Sequence, residues 1–235
     1  GRLVDTETLV GLVRKSIGQH GDYAGRHVIV SAGGTRQPID PVRFISNRST
    51  GKMGYAIAEA ARDRGATVTL VTAASITPPA GVKVVHVETV DDMRDVIIPS
   101  SSEADLLVMA AAISDFTPAQ VSDHKIKKQG SSGMSLEMAK VEDFMPLAHG
   151  RKLVKIAFAA ETNDLEANAR AKAAPKGAAF VVANNVSEPG SGFGTDTNKV
   201  TFVDAGGTTE PQPLMGKLDV AHAILDRALP HLAGR

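Results

Sequence analysis

Apolar positions along this chain fall into two alternating kinds of block. His27–Ala32 (HVIVSA), Thr67–Thr72 (TVTLVT), Val82–Val87, Asp105–Ala111 (DLLVMAA), Leu153–Ala159 and Ala178–Ala183 are short runs rich in β-branched or small apolar residues. Runs of this length bounded by turn residues predict buried strands. Between them the apolar residues recur at helical spacing. Gly51–Asp63 places Met53, Ile57, Ala60 and Ala61 on one face and closes at Gly65. Val90–Ile98 reads as a short helix, and Asn163–Lys172 opens with Asn163 and Glu166 at capping-box spacing. Leu214, Leu218, Ala221, Leu225 and Ala228 mark a last amphipathic helix, and Leu3–Ile17, with Leu3, Leu9, Leu12 and Val13, a first one ended by Gly18 and Gly21.

Strands that are apolar on both faces and alternate with helices predict an α/β fold: a Rossmann-like open, mostly parallel sheet with helices on both faces. Ligands then belong at the carboxyl ends of the strands. Two stretches break the rhythm. Phe116–Met134 is polar, carries Lys125, Lys127, Lys128, Gly130, Ser131, Ser132 and Gly133, and predicts a flexible strap loop rather than a regular element. Asn184–Lys199 is similarly rich in Asn, Gly, Ser and Pro, and Val200–Val203 with the Gly206-Gly207 turn predicts a C-terminal hairpin, an interface candidate. No internal repeat is visible, and residues 1–235 are read as one domain.

Composition narrows the chemistry. The 26 Lys+Arg balance 26 Asp+Glu, so there is no global basic field for nucleic acid. The absence of cysteine excludes disulfides, thiolate metal sites and a cysteine nucleophile. No apolar run reaches the roughly 18–20 residues of a membrane helix, so a cytoplasmic protein is expected, with no membrane partner. With seven Phe, two Tyr and no Trp, aromatic platforms for single strands are not expected. His20, His27, His86, His124, His149, His222 and His231 form no pair at metal-ligand spacing.

The loop after the first strand, Gly33-Gly34-Thr35-Arg36, and the segment Thr50-Gly51-Lys52-Met53-Gly54 that opens the second helix are candidate phosphate nests. Such glycines are also common framework in any open α/β sheet. The Walker A pattern fails, because Ser46 stands at its first glycine and Met53 follows Lys52. The dinucleotide pattern fails too, since no acidic residue follows the second strand at Thr72-Ala73. Tyr23 and Tyr55 have His27 and Glu59 four residues on, not the lysine of a short-chain reductase. What remains is a carboxylate and lysine apparatus. Asp115, just past the fourth strand, suits a hydroxyl or a Mg²⁺ water shell, or simply caps a loop. Lys125, Lys127 and Lys128 are either a solvated charge run or a cationic flap over phosphates.

The run from Gly33 through Arg36-Gln37-Pro38 and Ser46-Asn47-Arg48-Ser49-Thr50 to Gly54 resembles the signature of bacterial phosphopantothenoylcysteine synthetases. Ala110–Asp115, Lys125–Lys128, Phe158–Asn163 and Ala183–Val186 extend the resemblance in order across the chain. Gln37 and Thr50 stand where Glu and Ser are common, and Lys140-Val141-Glu142-Asp143-Phe144 where many relatives carry Lys-Asn-Pro-Asp-Ile.

This resemblance implies a ligase of coenzyme A biosynthesis that joins 4′-phosphopantothenate to L-cysteine, consuming CTP with Mg²⁺ through an acyl-cytidylate. Eukaryotic relatives use ATP. It implies roles for Asn47 beside the acyl-cytidylate and for Lys125 on a strap that closes over it. For CTP it implies Met109, Ala110, Ala111, Asp115, Lys125, the segment Lys140, Val141, Glu142 and Asp143 to Phe144, and Phe158, Lys172 and Lys176. Gly33, Gly34, Thr35, Asn47, Ser49, Gly51 and Lys52 would bind phosphate or substrate, and Asp115 the metal. It also implies a homodimer. Residues 1–26 would be a linker from an upstream FMN-dependent decarboxylase domain, and Gly1 in place of Met fits an excised piece. The other class weighed is a nucleotide-binding module without turnover; Asn47, Asp115 and Lys125 on three separate loops argue against such decay.

Overall fold

The computed structural model describes residues 3–128 and 133–233; Gly1 and Gly130, Ser131 and Ser132 of the strap lie outside them. Among the described residues five α-helices alternate with the strands: α1 (Thr6–Gly18), α2 (Lys52–Asp63), α3 (Val90–Ser101), α4 (Leu165–Lys176) and α5 (Lys217–Ala233). The strands of the central sheet are β1 (His27–Ala32), β4 (Thr67–Thr72), β5 (Lys83–His86), β6 (Leu106–Met109), β9 (Val154–Glu161), β10 (Phe180–Asn185), β12 (Val200–Asp204) and β13 (Thr209–Pro211). Their order is β13-β12-β10-β9-β6-β1-β4-β5, and the six strands from β10 to β5 run parallel. β1 lies between β4 and β6, with Val30 opposite Leu70 on one side and Val108 on the other.

Side chains alternate across the sheet as a pleat demands. Val28, Val30 and Ala32 join α2 and α5 in one apolar cluster, through Ile57, Ala61, Ile224 and Leu225. Ile29 faces the other way, into a cluster with Met93 and Ile97 of α3 and Ala169 and Ala173 of α4. The chain first builds outward from β1 through β4 to β5, then returns to β6 on the opposite side. That reversal leaves a crevice at the carboxyl ends of β1 and β6, where open α/β sheets receive ligands.

Several local expectations change. The loop Gly33–Thr50 contains a small hairpin, β2 (Arg36–Pro38) with β3 (Phe44–Ser46). Part of the strap region is also regular: β7 (Phe116–Pro118) pairs with β8 (Met138–Lys140). Pairing across about twenty residues leaves no local signal. The C-terminal hairpin is not a free appendage, because β12 adds antiparallel to β10 and closes one end of the sheet. α4 is capped by Asp164 in a left-handed conformation (φ 47°) rather than by an Asn163 box; the reciprocal capping box is at Thr89 and Asp92 of α3. Leu214 lies outside α5, because Met215–Gly216 (β14) pairs with Thr197–Asn198 (β11) before the helix starts. α1 forms, but Leu3, Leu9, Leu12 and Val13 are exposed and only Gly11 is buried, against Arg62 of α2. Among the described residues no helix is long and apolar enough to cross a membrane.

Candidate active site

One cavity of about 430 Å³ occupies the crevice. Its walls come from five parts of the chain: Asn47–Gly54 before and within α2, Met109–Asp115 after β6, Val141–Met145, Ala157–Ala160 of β9 with Lys172 and Lys176 of α4, and a wall from Asn184 to Lys217. The carboxyl ends of parallel strands converge there, so residues distant in sequence meet.

Gly51 caps α2 in the left-handed region (φ 85°), and among the described residues no side-chain cap bonds the first-turn N–H groups. Those groups, with the positive end of the helix dipole, line the cavity at Gly51–Gly54. Gly54 has no room for a side chain: a Cβ would lie 2.6 Å from the Cβ of Ala32 and 2.8 Å from the oxygen of Ser31. It therefore sets how closely α2 approaches β1.

Asn47 spans two loops. Its Nδ2 donates to the carbonyl oxygens of Ala112 (3.1 Å) and Ile113 (3.2 Å), which leaves Oδ1 without a hydrogen-bond partner among the described residues. Lysines ring the rest of the cavity, and three of them are ion-paired. Lys172 bonds Glu161 at 2.6 Å, Lys176 bonds Asp143, and Lys52 bonds Asp196 at 2.7 Å and the carbonyl of Gly194 at 3.1 Å. Their partners sit on separate elements, so these pairs draw the walls together. Asp115 is exposed at the rim.

The cavity thus collects Asn47, Ser49, Gly51, Lys52, Met109, Ala110, Ala111, Asp115, Val141, Glu142, Asp143, Phe158, Lys172 and Lys176 from the sequence-derived set. Gly33, Gly34, Thr35, Lys125 and Lys140 are not in its lining. Gly33 (φ 84°) packs with Cβ space blocked 2.6 Å from the nitrogen of Ala74, and Gly34 is blocked 2.7 Å from the oxygen of Asn47. Thr35 is buried and accepts from the N–H of Ser114 at 3.1 Å. These three hold loops in register beneath the cavity, the framework role glycines often have here. Lys140 belongs to β8 and Lys125 to the exposed root of the strap. That root is anchored: the N–H of Ile126 donates to Asp40 at 3.1 Å and its carbonyl accepts from Arg43 at 2.7 Å. The Arg43 guanidinium holds the Asp40 carboxyl far below the usual carboxylate range.

Sequence reasoning assigned no role to Asn184, Val186, Gly192, Phe193, Asn198 and Lys217, all of which line the cavity. The motif block Ala183–Val186 and the Gly- and Asn-rich composition of 184–199 were the available signals; for Lys217 there was none, since it opens an otherwise ordinary helix.

Among the described residues no three His, Asp or Glu side chains gather to cage a metal. A cation such as Mg²⁺ takes one or two carboxylates and otherwise water or phosphate oxygens. Asp115 on the rim fits a cation carried by a substrate polyphosphate, and does not fit a protein-enclosed one.

The fold and cavity define an α/β protein with a cavity at the sheet's switch point, lined by lysines and by the N-terminus of α2. A family model described as the DNA/pantothenate metabolism flavoprotein C-terminal domain matches residues 23–231, and the chain belongs to that family. It is 42% identical over 231 residues to the coenzyme A biosynthesis bifunctional protein CoaBC of Bacillus subtilis (strain 168), covering 96% of this chain and 57% of that protein. It is 40% identical over 252 residues to CoaBC of Mycobacterium bovis (strain ATCC BAA-935 / AF2122/97), covering all of this chain and 60% of the relative. The chain thus spans under two thirds of these relatives. A crystal structure of the C-terminal domain of CoaBC superposes with a TM-score of 0.75 at 34% identity, covering 90% of this chain and 97% of that one. The motif resemblance and the Rossmann-like fold both stand on these matches.

Proposed function

We propose that this chain is a phosphopantothenate–cysteine ligase that activates its acid with CTP. The observation that carries the reading is the single cavity in which the open N-terminus of α2, Asn47, Asp115 and the paired lysines Lys172 and Lys176 converge. Membership of a family whose relatives are named for coenzyme A biosynthesis supports it.

In the first step a carboxylate oxygen of 4′-phosphopantothenate attacks the α-phosphorus of CTP. A P–O bond forms, the bond to the β-phosphate oxygen breaks, and pyrophosphate leaves. In the second step the cysteine amine attacks the acyl carbon, the acyl–phosphate bond breaks, CMP leaves and the amine nitrogen gives up a proton. Both steps bring anions together, so the residues must screen charge. The α2 N–H groups and Lys52 face phosphate oxygens, and Lys172 and Lys176 exchange their carboxylate partners for the nucleotide. Asn47, tied to the carbonyls of Ala112 and Ile113, orients the intermediate and does not transfer a proton. Asp115 would hold Mg²⁺, which when bound supplies charge screening at the polyphosphate. The Lys125 strap closes over the intermediate from its anchored root. A homodimer, and an upstream FMN-dependent decarboxylase domain joined through residues 1–26, belong to the same reading, as does action in the cytoplasm.

The test omits cysteine. The chain with CTP, Mg²⁺ and 4′-phosphopantothenate should release pyrophosphate, then CMP and amide once cysteine is added. ATP in place of CTP should do so far more slowly; faster release with ATP would overturn the nucleotide choice. No pyrophosphate with either, from folded protein, would overturn the ligase reading in favour of a binding module.

A further inference from the structure

Lys217 is a buried lysine at the first position of α5, only 7% exposed, and among the described residues it forms no ion pair. Its ammonium instead donates to three carbonyl oxygens of one loop: Gly192 (3.2 Å), Phe193 (3.3 Å) and Thr195 (2.6 Å). All three of its donors are used. A buried ammonium without a carboxylate is costly, and burial holds its pKa below the usual lysine range, with Lys52 acting in the same direction and Asp196 against it.

The loop it grips is also tied internally by Thr195, whose hydroxyl accepts from the N–H of Gly192 and lies within hydrogen-bond reach of the carbonyls of Gly190, Gly192 and Thr197. A Cβ on Gly192 or Gly194 would meet no described atom within 4 Å, and neither glycine has positive φ, so neither packing nor backbone strain demands them. Beyond these internal bonds, the side chains that grip residues 192–196 come from the cavity lining. Besides Lys217, the Thr50 hydroxyl donates to the carbonyl of Phe193 at 2.6 Å, and Lys52 reaches Gly194 and Asp196. The carbonyls of residues 192–195 are thus all engaged, by two ammonium groups and the hydroxyls of Thr50 and Thr195. Gly192, Phe193, Lys217, Thr50, Lys52 and the N-terminus of α2 line one end of the cavity, where, among the described residues, two ammonium groups and the positive end of the helix dipole face a single carboxylate, Asp196, paired with Lys52.

We infer that Lys217 is a positioning residue: it fixes the Gly192–Thr195 loop as the end wall of the cavity, and this wall receives the polyphosphate chain of the nucleotide. The inference rests on the nucleotide reading above and adds to it a residue, a loop and a substrate portion. Lys217 acts through the loop and through the field of its charge, on binding more than on the chemical step.

The experiment uses inorganic tripolyphosphate as a probe, which needs neither turnover nor a particular base. Lys217→Met removes the charge and three donors at similar length. It should weaken tripolyphosphate binding by about tenfold, in line with loss of one charge-assisted contact. KM for CTP should rise by a similar factor, while kcat and the KM for 4′-phosphopantothenate stay within about threefold. Lys217→Arg, which keeps charge and donors, should recover most of the loss. Hydrogen exchange in the methionine variant should quicken across 190–198 and not in β1 or β6. Unchanged tripolyphosphate binding in folded Lys217→Met, or a fall in kcat alone, would overturn the proposal. Should the methionine variant not fold, Lys217→Arg still decides: wild-type exchange and near-wild-type binding support the wall, and lost binding with unchanged exchange overturns it. A wild-type chain that binds tripolyphosphate, shows this dependence on Lys217 and yet makes no amide would refute the ligase reading and leave the wall standing.

Discussion

The Asn47 side chain donates its amide to the carbonyl oxygen of Ala112, 65 residues further along, at 3.1 Å. One hydrogen bond thus joins the segment leading into α2 to the loop after β6. The two loops on either side of the switch point are held at a fixed separation, and the Oδ1 of Asn47 has a fixed position between them.

That geometry predicts the behaviour of Asn47→Asp. A carboxylate cannot donate to the carbonyls of Ala112 and Ile113, and it places an anion beside a phosphodiester. Amide formation should fall by about a hundredfold or more, the scale seen when a preorganised polar contact is lost. Acyl-cytidylate should accumulate in a quenched reaction lacking none of the substrates. Wild-type turnover would remove Asn47 from the mechanism.

Lys172 and Lys176 should matter for binding and hardly for folding. Both ion pairs, to Glu161 and Asp143, are partly exposed, so each contributes within about 1 kcal/mol of stability. Lys176→Met should leave the urea midpoint almost unmoved and raise KM for CTP by about tenfold. A large drop in stability with unchanged KM would reverse the assignment.

Gly33→Ala separates framework from phosphate nest. Its positive φ and the 2.6 Å approach of a Cβ to the nitrogen of Ala74 predict a destabilisation of about 1–3 kcal/mol. Tripolyphosphate affinity of the folded fraction should be unchanged. Gly54→Ala, blocked by Ala32 and Ser31, should destabilise to a similar extent and also disturb binding, because it shifts the end of α2 that lines the cavity.

Acid should act first through Asp40. The Arg43 guanidinium holds its folded pKa below the unfolded value near 3.8, so its ionised form stabilises the fold fully above that value. The contribution is lost as pH falls below about 4 towards the folded pKa. The gap in urea midpoint between wild type and Asp40→Asn should therefore be constant from pH 7 to 5 and shrink from pH 4 to 2. Because Asp40 holds the N–H of Ile126, exchange at the strap root should rise over the same acid range. A gap that widens on acidification would show that Asp40 is not the group responsible.

The strands β1, β4, β6 and β10, the helix α2 and the doubly wound class were legible along the chain, because a buried parallel strand must be apolar on both faces and its crossover helix on one. The motif around Asn47 was legible because the residues that line the cavity there lie close together in sequence, Asn47 and Ser49–Gly54. The loop glycines Gly33 and Gly34 were legible as a turn, yet whether they faced a phosphate or a neighbouring backbone depended on Ala74 and Asn47, which local spacing does not place. The same holds for the β7–β8 pair, formed by residues some twenty positions apart, and for the outward face of α1, whose apolar pattern says helix but not which neighbour covers it. Lys217 is the clearest case. Nothing adjacent to it marks a role, and it acquires one only because β11 and β14 pair and set the start of α5 beneath the carbonyls of Gly192, Phe193 and Thr195. Periodicity and motif are local properties that a chain displays along its length, whereas a cavity is made by which distant segments the sheet order brings side by side.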